Sequence, residues 1–202
     1  EVGYLSDSAF SFYYPENLEA LEARGATLVP LSSLAGDEVP PTLSALYIGG
    51  GFPETHGPAI AANLPFLHSL RRAAAKGLPI FAECGGLMLL SQAVSWRGER
   101  HVMAGVVPAE IEVLDTPQGH GYMLLQVDRP NPFFPTGAKI RAHEFHYSRI
   151  SGPVPESACA VERGTGCGGG RDAIAAGRVW AGYAHVHADA EPAWADGLIR
   201  AA

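Results

Sequence analysis

With 202 residues, 47% of them hydrophobic and 17% charged, the chain is long enough to bury one sizeable core and too short to demand two. A formal charge of −7 without a basic stripe argues against nucleic acid as a partner, and no apolar run reaches the length that spans a bilayer. Three cysteines, at positions 84, 159 and 167, make no disulfide framework and no CxxC pair, so a reducing compartment and a cytoplasmic protein are expected.

Residues 2–5 read as the first strand and residues 6–14 as a loop rich in aromatics. Pro15 and Glu16 open a helix with Leu18, Ala20 and Leu21 on its apolar side, Glu16, Glu19 and Glu22 on its wet side, and Gly25 as its stop. A second strand is expected at 27–29 and a third at 45–48, the latter ending in Gly49, Gly50 and Gly51. Residues 60–76 read as helix interrupted near residues 63–65, because proline disfavours helix at the residue before it. Ile80, Phe81 and Ala82 form the short apolar run of a strand covered on both faces, and Leu87, Met88 and Leu90 recur at helical spacing. This alternation predicts an α/β fold: an open, flavodoxin-like, mainly parallel sheet with helices on both faces, whose ligands gather at the carboxyl ends of the strands.

Cys84 lies between that fourth strand and its helix. A reactive side chain at such an elbow stands clear of the sheet, with helix amides near enough to favour a thiolate and then an oxyanion. Burial as a small hydrophobe is the competing fate of a free cysteine. Gly50 and Gly51 end the neighbouring strand, so their amides are candidates to join that of Gly85 in an oxyanion hole; a plain tight turn is the alternative. No Gly-x4-Gly-Lys-Ser/Thr loop occurs, so no nucleoside triphosphate site is read in this chain.

Beyond Val94, short extended pieces such as 103–107 and 122–127 predict a smaller mixed or antiparallel extension of the sheet. Residues 141–148 are unusually polar for a strand, with His143 and Phe145 expected on one side and Glu144 and His146 on the other. Their His-Glu-x-His run is one residue short of the zincin motif and lies in extended sequence, so no metal site is assigned. Residues 164–170 read as a flexible loop with Cys167 as a bystander. Residues 179–187 read as one strand on which Tyr183, His185 and His187 alternate, which puts both histidines on one face as candidates to take the thiol proton of Cys84. A Cys/His/His metal site is the rival and lacks an assignable fourth ligand. A short helix carrying Trp194, Leu198 and Ile199 on its apolar side ends the chain.

Taken together, residues 9–18, 49–54, 82–88, 143–148 and 183–187 resemble, in order and over nearly the whole chain, the glutamine amidotransferase domain of the cobyrinic (or hydrogenobyrinic) acid a,c-diamide synthase family, a class I-like amidotransferase. The resemblance implies that residues 1–202 are a single glutaminase domain, the C-terminal half of a larger synthetase, and the start at Glu1 is read the same way. It implies that Cys84 attacks the side-chain amide of glutamine to form a γ-glutamyl thioester, while His185 activates the thiol and protonates departing ammonia. ATP and Mg2+ are then expected on an N-terminal synthetase domain, where the ammonia amidates the a and c carboxylates of a corrin, and no cofactor is expected in this chain. Related amidotransferases carry an orienting glutamate two residues after the catalytic histidine. His187 stands at that place here, so the third member is His187 or a carboxylate such as Asp189. The strand holding His143, Glu144, His146 and Tyr147 is expected beside the amino-acid end of bound glutamine. A sibling tetrapyrrole amidase, a flavodoxin-like cysteine hydrolase and a non-catalytic regulatory domain are the alternatives.

Overall fold

The computed structural model describes residues 1–36 and 38–202. Its first half runs β1 (Val2–Leu5), α1 (Pro15–Glu22), β2 (Leu28–Leu31), β3 (Ala45–Ile48), α2 (Gly57–Ala62), α3 (Leu64–Ala75), β4 (Ile80–Glu83) and α4 (Gly85–Leu90), with a 3-10 turn at Pro53–His56. Strands then dominate: β5 (Ala93–Trp96), β6 (Glu99–Val102), β7 (Glu110–Val113), β8 (Gly119–Val127), β9 (Lys139–His146) and β10 (Ser148–Ser151). The chain finishes with β11 (Ser157–Arg163), β12 (Arg171–Ala176), β13 (Val179–Gly182), β14 (His185–Val186) and α5 (Ala193–Ala201).

Among the described residues, the larger sheet has ten strands in the order β14-β9-β8-β11-β12-β13-β4-β3-β1-β2. Strands β2, β1, β3, β4 and β13 are mutually parallel, and from β12 to β14 every pairing is antiparallel. The antiparallel part is therefore as large as the parallel part. A second sheet, β10-β7-β5-β6, packs below α4.

The central strands are buried on both faces because their side chains alternate between two cores. Leu46, Ile48, Ile80, Ala82, Val179 and Ala181 point to the side covered by α2, α3, α4 and the second sheet. Ala45, Tyr47, Phe81 and Trp180 point to the side covered by α1 and α5. There Phe81 stacks on Trp180 with ring centroids 5.5 Å apart, and Trp194 of α5 meets both Tyr47 and Phe81 edge-on. Full burial of a side chain such as Phe81 contributes roughly 1.5–3 kcal/mol.

Three expectations change, and the helix break at 63–65 falls where expected but for a different reason. The interruption in the 60–76 helix falls at Asn63, which leaves the helical region and caps α3 by accepting from Phe66 N at 3.4 Å. Pro65 then sits in the first turn, where its missing N–H is not needed. Residues 103–107 form no strand. They fold back under α4 so that the amides of Ala104, Val106 and Gly105 donate to Leu89 O, Leu90 O and Ser91 O at 3.0, 2.8 and 2.7 Å, filling carbonyls that a helix end leaves open. The loop at 164–170 is pinned, with Thr165 N and Gly166 N donating to the buried Glu144 carboxylate at 2.6 and 2.9 Å. Residues 179–187 form two strands, because the chain leaves β13 at Tyr183 and Ala184 and β14 pairs with β9 across the sheet. Among the described residues, no helix is long and apolar enough to cross a membrane.

Candidate active site

Cys84 sits on the turn between β4 and α4 with φ 50° and ψ −98°, a left-handed conformation that costs a non-glycine residue on the order of 1–3 kcal/mol. One hydrogen bond holds it there, and two close approaches of glycine backbone surround it. Cys84 N donates to Gly182 O at 2.7 Å, tying the elbow to the end of β13. A Cβ at Gly86 would stand 2.6 Å from Ile48 O, so only glycine lets α4 close on β3. The Gly51 amide nitrogen lies 3.0 Å from where a Cβ of Gly85 would stand, which makes the two candidate oxyanion donors neighbours.

Cys84 and His185 line one cavity of about 200 Å3, together with Gly51, Glu54, His143, His146 and Tyr147. Its walls are largely apolar, from Phe12, Phe52, Met88, Val113 and Phe145. The thiol is 7% exposed and lies 4.0 Å from Phe145 O, so it is enclosed yet opens on that cavity. His185 is packed edge-on against Phe12 with centroids 5.0 Å apart, and a Cβ at Gly50 would stand 2.7 Å from its Cε1, so Gly50 acts here as space for the ring.

The partner of His185 is Glu83. Its Oε2 stands 3.8 Å from His185 Nδ1, and both side chains are at most 5% exposed. Glu83 is held in turn: Tyr47 Oη donates to Oε2 at 2.8 Å and Val186 N donates to Oε1 at 2.9 Å. Asn17, buried on α1, donates to Tyr47 Oη at 3.1 Å and to Val186 O at 2.8 Å, and accepts from Ala188 N at 2.7 Å. Burial alone would lower the His185 pKa, but the neighbouring Cys84 thiol and Glu83 carboxylate outweigh it and push it up to about 10.

His187 and Asp189 do not meet His185. β14 is only two residues long, so the alternation expected along 179–187 ends before His187, whose ring packs on Tyr14 and lies 3.7 Å from Glu16. Asp189 is exposed and its amide donates to His187 Nδ1 at 3.2 Å. In the β9 segment, His143 and Phe145 face the cavity from one side of the strand, and His143 stands opposite His185 in the register. Burial, then the nearby His185 and His120, lowers the His143 pKa. His146 stacks on Tyr183 at 3.7 Å and Tyr147 reaches the cavity wall, whereas Glu144 turns away to the Thr165 and Gly166 amides and His146.

Glu83, Tyr47, Asn17 and Glu54 are site residues that motif reading passed over. Asn17 carried a signal: it lies four residues before Leu21 and so falls on the buried stripe of α1. Cys159 and Cys167 are buried and do not line this cavity, and burial pushes both thiols well above the ordinary range.

The same fold occurs in a chain of the PurLQS structure from Thermotoga maritima, with a TM-score of 0.71, 18% identity, and coverage of 99% of this chain and 94% of that one. A glutamine amidotransferase structure from the same organism matches 96% of this chain and 80% of its own with a TM-score of 0.60 and 15% identity. The fold class is therefore that of the class I glutamine amidotransferases. Within it, the chain belongs to the CobB/CobQ-like glutamine amidotransferase domain family, whose model matches residues 1–193. Cobyrinate a,c-diamide synthase from Magnetococcus marinus is 46% identical over 98% of this chain and 43% of its own length. The protein of that name from Methanothermobacter thermautotrophicus is 40% identical over 98% and 44%. The chain thus spans less than half the length of these curated relatives.

Proposed function

We propose that this chain is the glutaminase part of a cobyrinate a,c-diamide synthase. One observation carries the mechanism: a strained elbow cysteine shares an enclosed cavity with a histidine whose far nitrogen faces a buried carboxylate. With Nδ1 turned to Glu83, Nε2 of His185 is left for the thiol. His185 takes the proton, the Cys84 sulfur attacks the glutamine side-chain carbonyl, and the negative oxygen is met by the Gly51 and Gly85 amides. The imidazolium returns its proton to the leaving nitrogen, ammonia departs, and water hydrolyses the γ-glutamyl thioester to glutamate. Glu83 orients the ring and balances its charge, the role the sequence had left to His187 or Asp189.

The name shared by the relatives supports a corrin dicarboxylate as the acceptor of the ammonia. In this reading, the acceptor site, ATP and Mg2+ belong to a synthetase domain outside the chain, and the reaction takes place in the cytoplasm. The test uses the full-length enzyme with Cys84→Ser. Amidation from glutamine is abolished, while amidation from added ammonium salts continues at the wild-type rate. Equal loss of both would make Cys84 a structural residue and remove the reading.

A further inference from the structure

The cavity is lined by a carboxylate with one oxygen left unpaired. Glu54, on the 3-10 turn Pro53–His56, lines the same cavity as Cys84, and its Oε2 is buried without a hydrogen-bond partner among the described residues. Other acidic groups nearby are satisfied. Glu83 accepts from Tyr47 and Val186, Glu144 accepts from Thr165 and Gly166, and neither lines the cavity. The neighbouring His56 is engaged elsewhere, its two ring nitrogens lying 2.8 Å from Ser8 Oγ and Thr55 Oγ1. Burial raises the Glu54 pKa, partly offset by its own amide and by His56.

Leaving a carboxylate oxygen dry and unpaired destabilises a fold, so a residue placed this way is explained by a ligand that brings the missing donor. Apolar rings cover most of the remaining wall, which strengthens any charge pair formed there. A cavity of about 200 Å3 has the space of roughly seven water molecules, the scale of a small amino acid. Resting on the glutaminase reading, the substrate's amide must reach Cys84, and its opposite end then carries an ammonium group into the remainder of this same cavity.

We infer that Glu54 is the subsite for the substrate α-ammonium group, and that it selects a free amino acid over side-chain amides lacking that amine.

The test compares alkylation of Cys84 in the full-length protein, followed by mass spectrometry of the Cys84 peptide. Three reagents are used: 6-diazo-5-oxo-L-norleucine, the same diazoketone without its α-amine, and iodoacetamide. Wild-type Cys84 reacts about 10- to 100-fold faster with the amine-bearing diazoketone than with its des-amino counterpart, the range expected for a charged hydrogen bond. Glu54→Gln removes that preference and leaves the des-amino and iodoacetamide rates unchanged, while Glu54→Asp retains part of it. Should Glu54→Gln fail to fold, Glu54→Asp carries the same comparison. Equal slowing of both diazoketones, or no change in either, overturns the assignment. A wild-type Cys84 that iodoacetamide labels and neither diazoketone does would instead bring down the glutaminase reading, and the subsite with it.

Discussion

Glu83 is the immediate neighbour of Cys84, the proposed nucleophile, and that adjacency hid it. In a strand successive side chains point to opposite faces, so Glu83 leaves β4 on the Tyr47 side while Cys84 leaves on the other, and His185 lies 3.8 Å from the Glu83 carboxylate and shares a cavity with Cys84. The raised His185 pKa links this contact to stability. Its folded value of about 10 lies above the ordinary 6.5, so the protonated ring stabilises the fold fully below pH 6.5 and that contribution is lost as pH rises through about 10. Glu83→Gln neutralises one of the two partners that raise it. The fall in melting temperature between pH 7 and pH 10 should therefore be smaller in this variant than in wild type, and glutamine turnover should drop by about 100-fold or more. Identical pH dependence in the two proteins would detach Glu83 from His185.

The break between β13 and β14 is the element that delivers His185, and a buried acid makes it. Asp172 of β12 is fully buried; its Oδ1 accepts from Tyr183 N at 3.0 Å and from Cys167 Sγ at 3.1 Å, and its Oδ2 accepts from Ala184 N at 3.2 Å. These bonds take up the two amides that leave the β13 ladder and swing the chain toward β9. Asp172→Asn loses one acceptor at that corner and sets an amide against a backbone N–H. It is expected to lower stability by about 1–3 kcal/mol, seen as a drop of several degrees in melting temperature. A variant as stable as wild type would show that the corner holds without Asp172. The corner was not legible from sequence, because Tyr183, His185 and His187 keep a period of two straight through it and the restraint comes from a residue eleven positions earlier. β3 was legible residue for residue, since its apolar run follows a pair of prolines, stops at Gly49 and is answered on both faces by helices.

At the scale of the molecule, the parallel half of the large sheet supplies the elbow and glycine loop, and the antiparallel half folds β9 and β14 back over them. The first half of this arrangement could be read from alternating strands and helices. The second could not, because a histidine's reach to a cysteine about a hundred residues away depends on strand order, which period-two patterning does not encode. The proposed nucleophile and its histidine were thus visible as residue types, whereas Glu83 and Glu54 were singled out only by their three-dimensional surroundings. Trapping the acyl intermediate tests the account most directly: the full-length protein is quenched in acid during turnover of isotope-labelled glutamine, digested and mapped by mass spectrometry. The account predicts a labelled γ-glutamyl group on the peptide carrying Cys84 and none on those carrying Cys159 or Cys167. Release of labelled ammonia with no acyl group on Cys84, or with one on another cysteine, would contradict it.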